Sequence, residues 1–472
     1  MVKLNHFQNL SANAIQLVIN QVFGLAIFYI LSTWLDKQSF GQLNWVLAIL
    51  FTAFNILACG IDQLVVKKIA QGDDTATIIS LFISHVLVSG FLFYVGIGLV
   101  WWILPHSPII FQILMLVGAG KLMIYFATPF KQLASGQERF GLLAKMSAVS
   151  NIVRGVALIL FATFQNVTLT IAAFIFLAGD GLEFIVTVYL YLRFLKVKIS
   201  VKVQRKLYFA LLKEALPQIG VVLFTSALAR FDWIFIGLFL SAVKLAEYSF
   251  AYKAFEISTL PLLAIAPLLL PRFVRVIKEQ GLFPTHLFQI LKLELVFSVL
   301  IALMLYLSWS PLVDWFTHGK YGTVNSTVIL VLSACMPFMY FNNFLWSIGF
   351  AQGKLRLIFR VFAVTFLVNV IGDVVLIPLL GNVGAAIAYL AAMLVQGVLY
   401  ALSIERSFAL KQGINLLICG ACALISGLVA THLLNGVFVI ILFAVVLYLI
   451  LAILFGQINL KKLNLLKPVI SQ

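Results

Sequence analysis

The chain has 472 residues; 63% are hydrophobic, only 10% are charged, and the mean hydropathy is +1.11. A soluble domain carries about 25% charged residues, so this composition excludes an ordinary water-soluble enzyme and leaves no stretch for a separate catalytic domain. The net charge of +16 raises the question of nucleic acid, which the placement of the charges answers.

Apolar runs near 8–33, 42–65, 77–104, 108–129, 143–164, 168–192, 216–240, 246–271, 286–308, 323–347, 358–380, 382–404, 413–433 and 436–455 predict fourteen spans. Each can cross a bilayer, which takes about 20 mainly apolar residues. Each must be helical, because hydrocarbon offers its backbone no hydrogen-bond partner. The expected fold class is therefore an all-α membrane protein with 14 transmembrane helices.

The first run follows Lys3 and His6 but holds Asn13, Gln16, Asn20 and Gln21 and has no convincing cleavage site. It reads as a retained helix rather than a signal peptide. Asn13, Gln16 and Asn20 are spaced three and then four apart and share one face. With Ser11 and Gln21 they form a polar surface, suited either to sugar hydroxyls in a wet cavity or to neighbouring helices. His85, alone in the third span, reads as a buried hydrogen-bonder.

Ionisable residues inside spans are costly to insert and face a bundle interior or a cavity. Here they are Lys121 in the fourth span, Arg154 in the fifth, Asp180 and Glu183 in the sixth, Arg230 and Asp232 in the seventh, Lys253 and Glu256 in the eighth, Lys292 and Glu294 in the ninth, and Asp373 in the eleventh. Lys253 and Glu256, three apart, can neutralise each other. Arg230 and Asp232 are two apart and project to nearly opposite faces. Asp180 and Glu183 share a face and repel unless a cation or proton intervenes. Spans five and six turn near Asn166, which puts Arg154 and Asp180 at similar depth, so that Arg154 is either one half of an ion pair or a substrate-binding cation. Lys121 has no local partner, which favours a ligand role.

With the N-terminus inside, 24 of the 32 Lys and Arg residues fall at cytoplasmic ends, whereas only Lys37, Lys244 and Lys320 fall outside. This is the asymmetry of the positive-inside rule. It predicts an even number of spans, both termini cytoplasmic, and basic ends that meet anionic lipid. It leaves no case for nucleic acid. The basic stretch after span six divides the chain into a six-helix lobe at 1–193, a cytoplasmic linker at 194–215, a second six-helix lobe at 216–404, and two extra helices with a basic tail at 405–472. An offset of 217 residues aligns Gly136 with Gly353, Gly155 with Gly372 and Gln165 with Asn382. The lobes thus read as a parallel repeat, an arrangement in which two bundles rock about a site near the membrane midplane.

Cys59, Cys335, Cys419 and Cys422 all fall within predicted spans, where thiolates are disfavoured. The sequence has no GxSxG, HExxH or Walker loop and implies no cofactor, no metal and no enzymatic chemistry.

Several landmarks together resemble the Wzx-type polysaccharide and O-antigen flippases of the multidrug/oligosaccharidyl-lipid/polysaccharide exporter (MOP) superfamily. They are Phe40-Gly41 after the first helix, Gly60-Ile61-Asp62 after the second, Gly136, Leu216-Pro217 with Asp232 downstream, Glu247-Tyr248, Gly353-Lys354 and Gly384-Ala385-Ala386-Ile387-Ala388. The resemblance covers spans 1 to 12. It implies flipping of an undecaprenyl-pyrophosphate-linked oligosaccharide across the bacterial inner membrane, by alternating access, for lipopolysaccharide or other surface polysaccharide. The protein would act as a monomer, beside polymerase machinery and with Na+ or H+ as coupling ion. A pyrophosphate headgroup needs two or three cations in a low-dielectric site, which nominates Lys121, Arg154 and Arg230. The amides Asn13, Gln16 and Asn20 would meet the sugar, and Asp180, Glu183 and Asp232 would tune the cations or carry the coupling ion. Two relatives offer alternatives: a lipid II flippase of the MurJ family, which shares the extra helices, and a cation-coupled drug antiporter of the MATE family. A membrane glycosyltransferase or ligase is disfavoured, since the longest outer loop, about 308–323, is too short to house a site.

Overall fold

The computed structural model describes residues 2–103, 108–199, 205–262, 285–404 and 406–458, with side chains undescribed at 2–17, 101–103, 216–223, 225–229, 285–288 and 406–409. The described residues are helices and their turns, with no strand among them. The first half runs α1 (Val2–Trp34), α2 (Lys37–Leu57), α3 (Ile61–Ala70), α4 (Thr75–Ile103), α5 (Pro108–Gly136), α6 (Phe140–Thr163) and α7 (Leu169–Leu190). Then come α8 (Arg205–Phe239), α9 (Ala242–Ser258), α10 (Thr285–Thr317), α11 (Ser326–Ala351), α12 (Leu355–Leu380), α13 (Asn382–Ser403), α14 (Arg406–Leu433) and α15 (Val437–Leu454). Among the described residues, 11 helices are long and apolar enough to cross a membrane. Residues 18–34, α8 and α9 fall outside that set, so the fourteen expected crossings stand as a proposal.

Three boundaries differ from the sequence reading. The second run is not one helix: it breaks at Ala58–Gly60, where Cys59 and Gly60 take left-handed conformations (φ 50° and 65°) that stop the hydrogen-bond ladder. The basic linker is helical from Arg205, because α8 carries straight on into the seventh run. The fourth run ends not at residue 129 but at Gly136, with Pro129 inside the helix. Tight turns are set by local chemistry. Asp36 caps α2, accepting from the Ser39 amide and hydroxyl at 2.8 Å each, and Thr168 caps α7 through the Ile171 amide.

The chain forms two compact units, one of Met1–Gly237 with Ser241–Ala246 and the other of Leu238–Leu240 with Glu247–Gln472. The division falls after α8, not at the basic linker, because α8 is bound to the first unit. Lys68 pairs with Glu214 at 2.8 Å, and Trp45 Nε1 donates to the Ile234 carbonyl at 3.2 Å. His85 meets the Tyr208 hydroxyl at 2.9 Å and the Leu57 carbonyl at 2.8 Å, using both ring nitrogens as a buried hydrogen-bonder should. In the first unit α5 packs on α7, α6 on α7, and α1 on α6. In the second unit α12 packs on α13, and α10 packs on α11, α14 and α15. The core of that unit joins Leu291, Leu295, Phe344 and Leu345 to Cys419 and Tyr448.

Candidate functional site

Two glycines let three helices of the first unit come close. A Cβ on Gly120 of α5 would sit 3.0 Å from Asp180 Oδ2 and 3.2 Å from the Leu177 Cα, both on α7. One on Gly179 of α7 would sit 2.8 Å from Arg154 Cγ and 3.2 Å from the Ser150 carbonyl oxygen, both on α6. Only residues without a side chain allow backbones this near. The contact brings ionisable groups from three helices into one buried cluster.

Asp180, 1% exposed, is its centre. The Arg154 guanidinium pairs with Oδ1, the Ser150 hydroxyl donates to the same oxygen at 2.7 Å, and the Lys121 ammonium lies 3.3 Å from Oδ2. Arg154 also stacks over the Phe176 ring, its Cζ 4.3 Å from the centroid. One turn along α7, Glu183 takes the Lys131 ammonium at 2.5 Å and the Ser150 backbone N–H at 2.9 Å. The repulsion expected between Asp180 and Glu183 is thus relieved by three cations. Among the described residues, three cations against two acids leave one positive charge in a low-dielectric interior, where an unbalanced charge is costly. The side chains also differ in access: Lys121 is 27% exposed, Lys131 14% and Arg154 7%.

The other nominated residues lie elsewhere. Arg230 lies over Trp233 at 4.5 Å and Phe51 at 5.8 Å, so its aromatic partners are on α8 and α2, not on the helices that carry the cluster. Asp232 is buried and accepts from the Trp233 amide at 2.8 Å. Asn20 accepts from the Asn151 amide group at 3.0 Å, a helix–helix bond between α1 and α6, which is the second of the two roles open to the polar stripe. The side chains of Asn13 and Gln16 lie outside the described residues. Lys253 and Glu256 pair at 2.8 Å, as their spacing predicts. In the second unit Asn369 and Asp373, one turn apart on α12, are 1% and 0% exposed.

Sequence reasoning missed Lys131 and Ser150. Lys131 falls just past the fourth apolar run, 108–129, and so counts among the cytoplasmic ends in the sequence reading. The helix continues through Pro129, so Lys131 stays on it and reaches Glu183. Ser150 carried no signal beyond lying one turn before Arg154.

The sequence matches the family model for polysaccharide biosynthesis proteins over residues 7–277. No curated protein matches it. Among solved structures, the chain resembles the lipid II flippase MurJ in an inward closed conformation, with TM-score 0.73 and 15% identity over 94% of this chain and 98% of that one. It also resembles an inward-facing multidrug resistance MATE family transporter of the MOP superfamily, with TM-score 0.67 and 14% identity over 85% and 99% of the two chains. A MATE transporter from Vibrio cholerae, VcmN, gives TM-score 0.57 and 14% identity over 86% and 98%. At these identities the likeness is one of fold. With the apolar helices, it marks a multi-pass membrane protein.

Proposed function

Since the chain belongs to the polysaccharide biosynthesis protein family, we propose that it flips an undecaprenyl-pyrophosphate-linked oligosaccharide across the bacterial inner membrane, without covalent chemistry. The observation that carries this reading is the buried cluster of the first unit, which holds one more cation than acid. An anionic headgroup would bring that charge into balance.

Access decides which residue meets the headgroup. Lys121 shares its acid with Arg154 and is the most exposed of the three cations, so it turns from Asp180 to a phosphate oxygen at the smallest cost. Charge-assisted hydrogen bonds of this kind are worth roughly 1.5–3 kcal/mol each. Arg154 is pinned by Asp180 and Phe176 and acts as a positioning residue that keeps Asp180 neutralised when Lys121 leaves it. Lys131 does the same for Glu183. Arg230 supplies a second contact only if the chain moves, since its guanidinium is stacked on aromatic rings.

The drug-antiporter alternative needs acids that accept a cationic substrate. Asp180 and Glu183 are each occupied by side-chain cations, which speaks against it. The lipid II alternative calls for the same headgroup chemistry and differs in the glycan. The test is surface-glycan export in cells that depend on this chain. Lys121→Gln should cut export about tenfold or more and Lys121→Arg should retain it, while Arg154→Lys should lower it. Normal export in Lys121→Gln cells would remove the headgroup role.

A further inference from the structure

The second unit holds a carboxyl group that the headgroup cluster does not use. Glu294 lies on α10, nine residues from the start of the helix, between Leu291 and Leu295, which are both fully buried. It is 8% exposed. Among the described residues no hydrogen-bond donor and no cation partners its carboxylate. An isolated carboxylate in an apolar interior is far too costly to keep, and such a group takes up a proton instead.

A buried phenol faces it. Tyr340 lies on α11, eleven residues before the helix ends. The two helices pack side by side and run in opposite directions, so this places Tyr340 at about the depth of Glu294. Tyr340 is fully buried, and among the described residues its hydroxyl has at most a weak hydrogen bond, with the Leu262 backbone. The Glu294 carboxyl and the Leu262 backbone both lie within electrostatic reach of that hydroxyl.

We propose that Glu294 and Tyr340 form a proton-binding site in the second unit. The carboxyl takes a proton to become neutral, and the phenol hydrogen-bonds the acid it forms. The small residual exposure of Glu294 gives the proton its way in and out.

The other titratable groups on the packed helices are committed elsewhere or are neutral. Lys292, two residues along α10 and so on nearly the opposite face, donates to the Gly456 carbonyl at 2.7 Å. The Tyr448 hydroxyl of α15 donates to the Val296 carbonyl at 2.9 Å. Cys335 on α11, and Cys419 and Cys422 on α14, are free thiols. A metal cation is the poorer occupant: hard cations such as Ca2+ and Mg2+ take about six oxygen ligands, whereas the core beside Glu294 is built of Leu291, Leu295, Phe344 and Leu345, with the neutral phenols of Tyr400 and Tyr448 as its oxygen-bearing side chains. The site rests on the second unit alone and stands whether or not the cargo assignment is right.

The test is infrared difference spectroscopy on the full chain reconstituted in lipid without cargo. At neutral pH the wild type should show a carboxylic-acid carbonyl band that bleaches as the pH is raised. The band should be absent from Glu294→Gln, shifted in frequency in Tyr340→Phe, and unmoved when Na+ replaces K+. The Tyr340→Phe shift keeps the test decisive should Glu294→Gln fail to fold. A band that persists in Glu294→Gln, that Tyr340→Phe leaves in place, or that Na+ removes would overturn the proposal.

Discussion

At the scale of single residues, the organising fact is that Asp180 serves two cations at once. Its removal leaves Lys121 and Arg154 facing each other across a buried gap, a defect that typically costs about 3–5 kcal/mol. Asp180→Leu should therefore lower stability by that order in a denaturation assay in detergent. The double variant Asp180→Leu, Arg154→Leu should regain part of the loss, because one of the two orphaned charges goes too. A double variant as unstable as the sum of its singles would mean the pair is not coupled. Much of this site was legible in the sequence. Counting outward from the turn at Asn166 gave Arg154 and Asp180 a common depth, and the ion pair follows. Lys131 was not legible, since whether a helix survives a proline depends on the neighbours that satisfy its backbone. Nor was Asn20: an amide stripe looks the same on a cavity wall and on a helix contact.

At the scale of elements, helix approach depends on small residues at particular heights. Gly179→Val would drive a side chain into Arg154 and the Ser150 carbonyl, splaying α6 from α7. It should abolish transport, whereas Gly141→Ala, with open space around it, should leave transport intact. Equal effects from both would sever the link between packing and the cluster. Caps contribute more modestly. Burial pushes the Asp36 carboxyl up, but the backbone and hydroxyl hydrogen bonds from Ser39 prevail and hold it below the usual carboxylate value. A depressed folded value stabilises the fold above the unfolded value and loses that contribution as pH falls through the folded one. Asp36→Ala should thus cost about 0.5–2 kcal/mol at neutral pH and progressively less in acid. A cost that grows in acid would contradict the cap. Helix positions were read well from apolar runs, because hydrocarbon admits little else. Breaks and continuations were not: the stop at Cys59–Gly60 is conformational, and the start of α8 at Arg205 rests on contacts with α3 and α4 that composition does not encode.

At the scale of the molecule, two compact units and a strong bias of basic residues go together with a chain that crosses the membrane many times. We propose that both termini face the cytoplasm. Reporter fusions at the C-terminus should accordingly give cytoplasmic activity only, and a periplasmic signal would refute the even count of spans. The boundary between units is where sequence and structure differ most. The repeat offset predicts two halves that meet at the basic linker, yet α8 belongs with the first unit because its side-chain bonds run to α2, α3 and α4. The family match is consistent with movement of a polysaccharide precursor, and the surplus charge of the first unit offers a reason why its headgroup would be held.

That surplus charge can be tested directly by reconstituting the purified chain in liposomes and timing the movement of a fluorescent undecaprenyl-pyrophosphate oligosaccharide between leaflets. Lys121→Gln should slow flipping about tenfold or more, the loss expected when one charge-assisted hydrogen bond is removed, and Lys121→Arg should stay near the wild-type rate. A folded Lys121→Gln protein that flips the lipid as fast as the wild type would contradict the account.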